Sequence, residues 1–175
     1  RRQRQMCIRD STTLEPYQLK RLLEQLGESF GFDGLVEFTI EAGRPDSITR
    51  EKLETIKEFP VTRISVNPQT MNQDTLEIIG RRHTVAQTIE TFHLARELNY
   101  NNINMDLIVG LPGEDISKVK YTLEKVKELS PDSLTVHSLA VKRAARLNMF
   151  KDKYQEMTFE NNQEIMDLTP VSYTH

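Results

Sequence analysis

Ile103-Asn104-Met105-Asp106-Leu107-Ile108-Val109, running straight into Gly110-Leu111-Pro112-Gly113-Glu114, is the stretch that decides the fold. The first seven residues are a strand pattern, and two glycines with a proline make the turn that ends it. A helical pattern follows over residues 117–129, Pro131 stops it, and a further strand pattern occupies residues 133–139. Strand, glycine turn, helix and strand in that order form one parallel β/α unit.

Working back toward the start, the same unit recurs. Leu19, Leu22, Leu23, Leu26 and Phe30 fall at helical spacing, with Pro16 suited to a first turn. Residues 35–41 (LVEFTIE) alternate and end in the turn-forming Gly43-Arg44-Pro45-Asp46. A helix is predicted over residues 49–58, a strand over 62–67, and helices after Asn72 and after Thr84. Thr84 and Gln87 make a capping-box pattern ahead of the apolar stripe Val85, Ile89, Phe92, Ala95 and Leu98. A last helix is predicted over residues 154–168. The fold class is therefore α/β, with parallel β/α units in a barrel or a doubly wound sheet. No GxGxxG is present, so function is expected at the loops that follow the strands.

With 37% hydrophobic and 28% charged residues in 175, the chain can bury one globular core. No apolar run approaches the roughly 18–20 residues that span a bilayer, which predicts no membrane partner and a cytoplasmic location. The two ends need separate treatment. Met6-Cys7-Ile8-Arg9-Asp10-Ser11 can be encoded by DNA whose opposite strand encodes Val171-Ser172-Tyr173-Thr174-His175. Such an inverted pair is the pattern of a sequencing adapter. Residues 1–11 and 171–175 are accordingly read as adapter-derived, leaving 12–170 as the domain. The basic run Arg1, Arg2, Arg4 then says nothing about nucleic acid, and Cys7, the single cysteine, is no candidate ligand. Residues 1–10 hold four arginines and one aspartate, so the net charge of −3 becomes −6 without them. An acidic remainder predicts no nucleic-acid partner.

The strand ends bear a polar series: Glu41, then Asn67 and Gln69, then Asn104 and Asp106, then His137 and Ser138. A carboxylate on a strand as apolar as 103–109 costs several kcal/mol unless it is paired or bound to a ligand. Asp106 therefore needs either an ion pair with Arg63, Arg81 or Arg82, or a ligand. Gly80-Arg81-Arg82-His83 is a helix-ending glycine with a solvated basic turn, or an anion grip beside the same mouth. Residues 141–147 carry three cations, as a solvated face or a grip on carboxylates. His93 and His137 lack companions at metal-ligand spacing.

Residues 37–46 (EFTIEAGRPD), 63–71 (RISVNPQTM), the 80–83 turn and residues 103–114, in this order and spacing, resemble the oxygen-independent coproporphyrinogen III oxidase family of radical S-adenosylmethionine (SAM) proteins, HemZ-type subgroup. The resemblance covers residues 12–169. It implies four strands of a partial (β/α)6 radical SAM barrel lacking its first two units. It also implies SAM and a [4Fe-4S] cluster as cofactors, a tetrapyrrole substrate and an electron donor. The implied reaction is oxidative decarboxylation of porphyrinogen propionates to vinyls. Glu41, Gln69, Arg81, Asp106 and Ala140 match the family's SAM-binding positions. The cysteine triad that holds the cluster belongs to a loop preceding residue 12, so this span alone is expected to be inactive. A haem-binding or haem-transfer relative and a non-catalytic β/α interaction module are the alternative readings.

Overall fold

The computed structural model describes residues 13–138 and the backbone of Arg4–Ile8. Ala140, the cationic segment 141–147 and the helix predicted over 154–168 lie outside the described residues. Five parallel strands, β1 (Arg4–Ile8), β2 (Leu35–Gly43), β3 (Arg63–Gln69), β4 (Ile103–Val109) and β5 (Ser133–Ser138), lie side by side in chain order. The helices between them are α1 (Pro16–Phe30), α2 (Arg50–Lys57), α3 (Gln73–Ile78), α4 (Val85–Glu97) and α5 (Ile116–Leu129). The four strands predicted from the sequence are β2 to β5. The fifth, β1, falls within residues 1–11 and pairs in parallel with β2.

Strand order separates the two architectures that the sequence leaves open. A doubly wound sheet reverses its order at a switch point and carries helices on both faces. Here the order never reverses among the described residues, and helices α1, α2, α4 and α5 all feed one core. That is the winding of a β/α barrel, present as an arc. Leu19, Leu23, Leu53, Ile56, Phe92, Ala95 and Val126 from the helices meet Phe38, Ile40, Ala42, Ile64, Val66, Ile103, Met105 and Leu107 from the strands.

The helix starts follow from local chemistry. Thr49 accepts from the Lys52 N–H at 3.3 Å, and Asp115 accepts from Lys118 at 2.9 Å. The capping box expected at Thr84 forms, with Gln87 returning to the Thr84 N–H at 2.8 Å. The turn between β4 and α5 needs its glycines: Gly113 has φ +77°, and a Cβ there would also stand 3.2 Å from Ile78 Cδ1.

Candidate functional site

Alternation along the strands sends every second side chain away from the helices. On β2 these are Glu37, Thr39 and Glu41, on β3 Arg63, Ser65 and Asn67, on β4 Asn104 and Asp106, and on β5 Ser133, Thr135 and His137. Apart from Ile108 on β4, the inner wall of the arc is thus polar. In a closed eight-stranded barrel branched apolar side chains fill this space.

The polar groups are knit together. Asn67 Nδ2 donates to Glu41 Oε2 at 3.1 Å, and Ser65 Oγ lies 3.2 Å from Asn67 Oδ1. Asn104 Nδ2 donates to Ser65 Oγ at 2.9 Å and to Asp106 Oδ1 at 2.5 Å. The Asn104 oxygen accepts from Ser133 Oγ at 3.0 Å and Thr135 Oγ1 at 3.1 Å. One hydrogen-bonded chain therefore runs across four strands and joins the carboxylates of Glu41 and Asp106. At the other end of the wall Arg63 faces Glu37 at 3.8 Å, and Thr39 donates to Glu37 at 2.7 Å.

Asp106 is satisfied differently from the ion pair considered above. Arg63 pairs with Glu37, and no cation among the described residues lies within ion-pairing distance of Asp106. Its Oδ1 takes a hydrogen bond from Asn104, and Ser65 Oγ stands 3.4 Å away with its one proton shared between this oxygen and Asn67 Oδ1. Its Oδ2 has no hydrogen bond among the described residues and is not sealed from solvent. A half-buried carboxylate with one oxygen anchored and the other presented is ready to accept from a ligand hydroxyl or ammonium.

Gln69 closes β3 at φ +69°, a left-handed conformation that costs a residue with a Cβ about 1–2 kcal/mol. Its side chain is buried, and its Nε2 reaches the Asn67 carbonyl at 3.4 Å. The loop that follows holds it there. Thr70 Oγ1 donates to Glu114, Asn72 Nδ2 reaches Glu114 at 3.1 Å and the Lys118 carbonyl at 3.1 Å, and Thr122 Oγ1 accepts from the Met71 N–H at 3.1 Å. Burial pushes the Glu114 carboxyl above its usual range, against the bonds from Thr70 and Asn72. Glu114 and α5 thus clamp the loop that follows β3.

Arg81 follows a helix end of the predicted kind: Gly80 has φ +72°, and the Arg81 N–H returns to the Leu76 carbonyl at 2.8 Å. Arg82 is exposed, while His83 is fully buried and bonds the Pro68 carbonyl at 3.2 Å, pinning the basic turn beside Gln69. Burial holds the His83 imidazole below its ordinary range, and the nearby Arg81 charge acts in the same direction. Of the five expected site residues, Glu41 and Asp106 share one network, Gln69 bonds the Asn67 carbonyl, and Arg81 stands two residues before the His83 anchor. Ala140 is outside the described residues.

Ser65, Ser133 and Thr135 were not among the sequence candidates. Their signal was available in the alternation of polar and apolar residues on β3 and β5, which marks a whole face rather than a strand end.

A sequence model described as the radical SAM superfamily matches residues 10–126. The chain belongs to that superfamily. It is 43% identical over 157 residues to the oxygen-independent coproporphyrinogen-III oxidase-like protein HemZ of Bacillus subtilis (strain 168), covering 89% of this chain and 31% of that protein. It is 36% identical over 131 residues to the heme chaperone HemW of the same organism, covering 74% of this chain and 34% of the relative. The solved coproporphyrinogen III oxidase HemN of Escherichia coli superposes with a TM-score of 0.79 at 27% identity, over 94% of this chain and 38% of that one. The chain thus spans about a third of the length of these radical SAM relatives, and the polar wall is the inner face of a radical SAM barrel.

Proposed function

We propose that this chain is the central arc of a radical SAM enzyme of the oxygen-independent coproporphyrinogen III oxidase type, and that its polar wall binds SAM. The observation that carries the reading is the hydrogen-bonded chain from Glu41 to Asp106, with Asp106 Oδ2 left open. The donor set fits SAM. Glu41 and Asp106 suit ribose hydroxyls or the methionyl ammonium, Arg81 and Gln69 suit its carboxylate, and Ala140 is assigned to the same site by family position. Bound SAM would supply a carbon-centred radical after reductive cleavage. This span does not fit the [4Fe-4S] cluster, because three thiolates are needed and the chain has one cysteine, Cys7.

For the whole protein we propose oxidative decarboxylation of porphyrinogen propionates, in the cytoplasm, with a separate electron donor. The greater identity to the HemZ protein than to the HemW chaperone supports oxidase over haem transfer. Residues 1–11 and 171–175 are proposed to be adapter-derived, which the flanking genomic DNA tests directly.

The site is tested by isothermal titration of SAM. Asp106→Ala and Arg81→Ala are expected to weaken binding about tenfold or more without lowering the melting temperature by more than a few degrees. Unchanged affinity in both would refute the site. An anaerobic assay of the full-length protein separates oxidase from carrier: vinyl product with SAM consumption supports the oxidase, and stoichiometric haem binding without turnover supports the carrier.

A further inference from the structure

Asn104 is 2% exposed at the centre of the inner wall. Its amide orientation is fixed by its neighbours. Asp106 as a carboxylate only accepts, so the NH2 group must face Asp106, and the oxygen is left for the hydroxyls of Ser133 and Thr135. All four of its hydrogen-bonding directions are thereby used, across β3, β4 and β5.

This arrangement does more than satisfy a buried amide. Asn104 and Asp106 are two residues apart on one strand and share its inner face, so their side chains are neighbours along the strand. The Nδ2–H to Oδ1 contact at 2.5 Å anchors that oxygen, and Ser65 Oγ, whose one proton is shared between Asn67 Oδ1 at 3.2 Å and Asp106 Oδ1 at 3.4 Å, lies beside it. The carboxylate is thus anchored through Oδ1, and no described donor of the wall bonds Oδ2. We infer that Asn104 is a positioning residue that orients Asp106 toward SAM, an inference that rests on the binding site proposed above. Among the described residues, the other charged or titratable groups on this face are Glu37 and Glu41 on β2, Arg63 on β3 and His137 on β5. Asn104 is thus a neutral donor facing Asp106 on a wall whose other charged or titratable groups are two carboxylates, one guanidinium and one imidazole.

The test is Asn104→Asp, which keeps size and the acceptor arm but replaces the donor with an oxygen. At pH 8 two facing carboxylates repel, Asp106 turns away, and SAM affinity of the 175-residue chain is expected to fall about tenfold or more relative to wild type. At pH 5.5 the pair retains one proton, an O–H to O bond replaces the lost N–H to O bond, and most of the affinity ratio to wild type returns. A residue that only supports the fold would not give that pH-dependent rescue. Wild-type affinity at pH 8, or an equal loss at both pH values, overturns the inference.

Asp106→Asn in parallel separates this from the site reading: if it leaves SAM binding unchanged, the ligand role of Asp106 fails. A ligand-free measurement decides the contact independently. The Asn104 side-chain amide resonances are expected to move on Asp106→Asn, and if they stay in place the positioning contact is absent whatever SAM does.

Discussion

Replacing Thr122 with valine tests the clamp that holds the strand-end loop of β3. Thr122 is 5% exposed on α5, and valine matches its shape, so no cavity opens. The hydroxyl accepts from the Met71 N–H at 3.1 Å, from Asn72 Nδ2 at 3.0 Å, and exchanges a bond with Thr70 Oγ1 at 3.1 Å. Asn72 has other acceptors in Thr70, Glu114 and the Lys118 carbonyl. The Met71 amide is left buried with no replacement, at a cost of about 1–3 kcal/mol. A loss near 2 kcal/mol corresponds to roughly 4–8 °C in melting temperature for a domain of this size. The assay is urea unfolding followed by circular dichroism, with the midpoint falling and the slope unchanged. Thr122→Ser is the control, since it keeps the hydroxyl and loses only a methyl worth about 0.8 kcal/mol. If serine costs as much as valine, packing of the methyl rather than the hydroxyl network holds the loop, and the reasoning is refuted.

Phe92→Ala should cost about 3–5 kcal/mol, because Phe92 is 1% exposed and ties α4 to the sheet; denaturant unfolding measures it. Asn99 sits at φ +60° just past α4, so Asn99→Gly is expected to raise stability by about 0.5–1 kcal/mol and Asn99→Val to lower it. The buried His83 predicts a pH effect. Its folded-state pKa lies below the ordinary 6.5, so the unfolded chain takes up the proton first, and the stability it contributes is complete above pH 6.5 and is lost as pH falls through the folded value. His83→Gln, which can still donate to Pro68, should therefore close its stability gap to wild type between pH 7 and 5. A gap that widens on acidification would contradict the buried neutral imidazole.

Much of the fold was legible because its signals are local. The β4 bounds read from residues 103–109 coincide with the observed strand, and Pro16, Thr84 with Gln87, and Pro131 each mark a helix end where the structure has one. Choosing a barrel-type arc over a doubly wound sheet needed strand order, which periodicity alone does not encode. At the candidate site, Glu41, Gln69 and Asp106 were legible as polar strand ends and Arg81 as part of a basic turn, and the family resemblance then singled them out, but how Asp106 is satisfied was not legible. An ion pair is the first expectation for a buried carboxylate, and the actual donors, Asn104 and Ser65, are neutral residues whose importance depends on register between β3 and β4. Glu114 and Thr122 were illegible for a similar reason. Their partners lie 42 to 52 residues away in sequence and meet only when the loop after β3 is brought against Glu114 and α5.

The unreversed strand order also governs how the chain can be assembled during synthesis. Each inner strand hydrogen-bonds only with the strands immediately before and after it in the sequence, and the paired residues Ile40 and Ile64, Ile64 and Ile103, and Met105 and Leu134 are 24, 39 and 29 residues apart. Closing the longest of these loops costs only about 0.4 kcal/mol more than the shortest. A nascent chain leaving the ribosome can therefore add one strand and its covering helix at a time, with no strand waiting for a distant partner. The arc grows at one seam, and every intermediate exposes a single open edge on its growing side, where the next strand arrives.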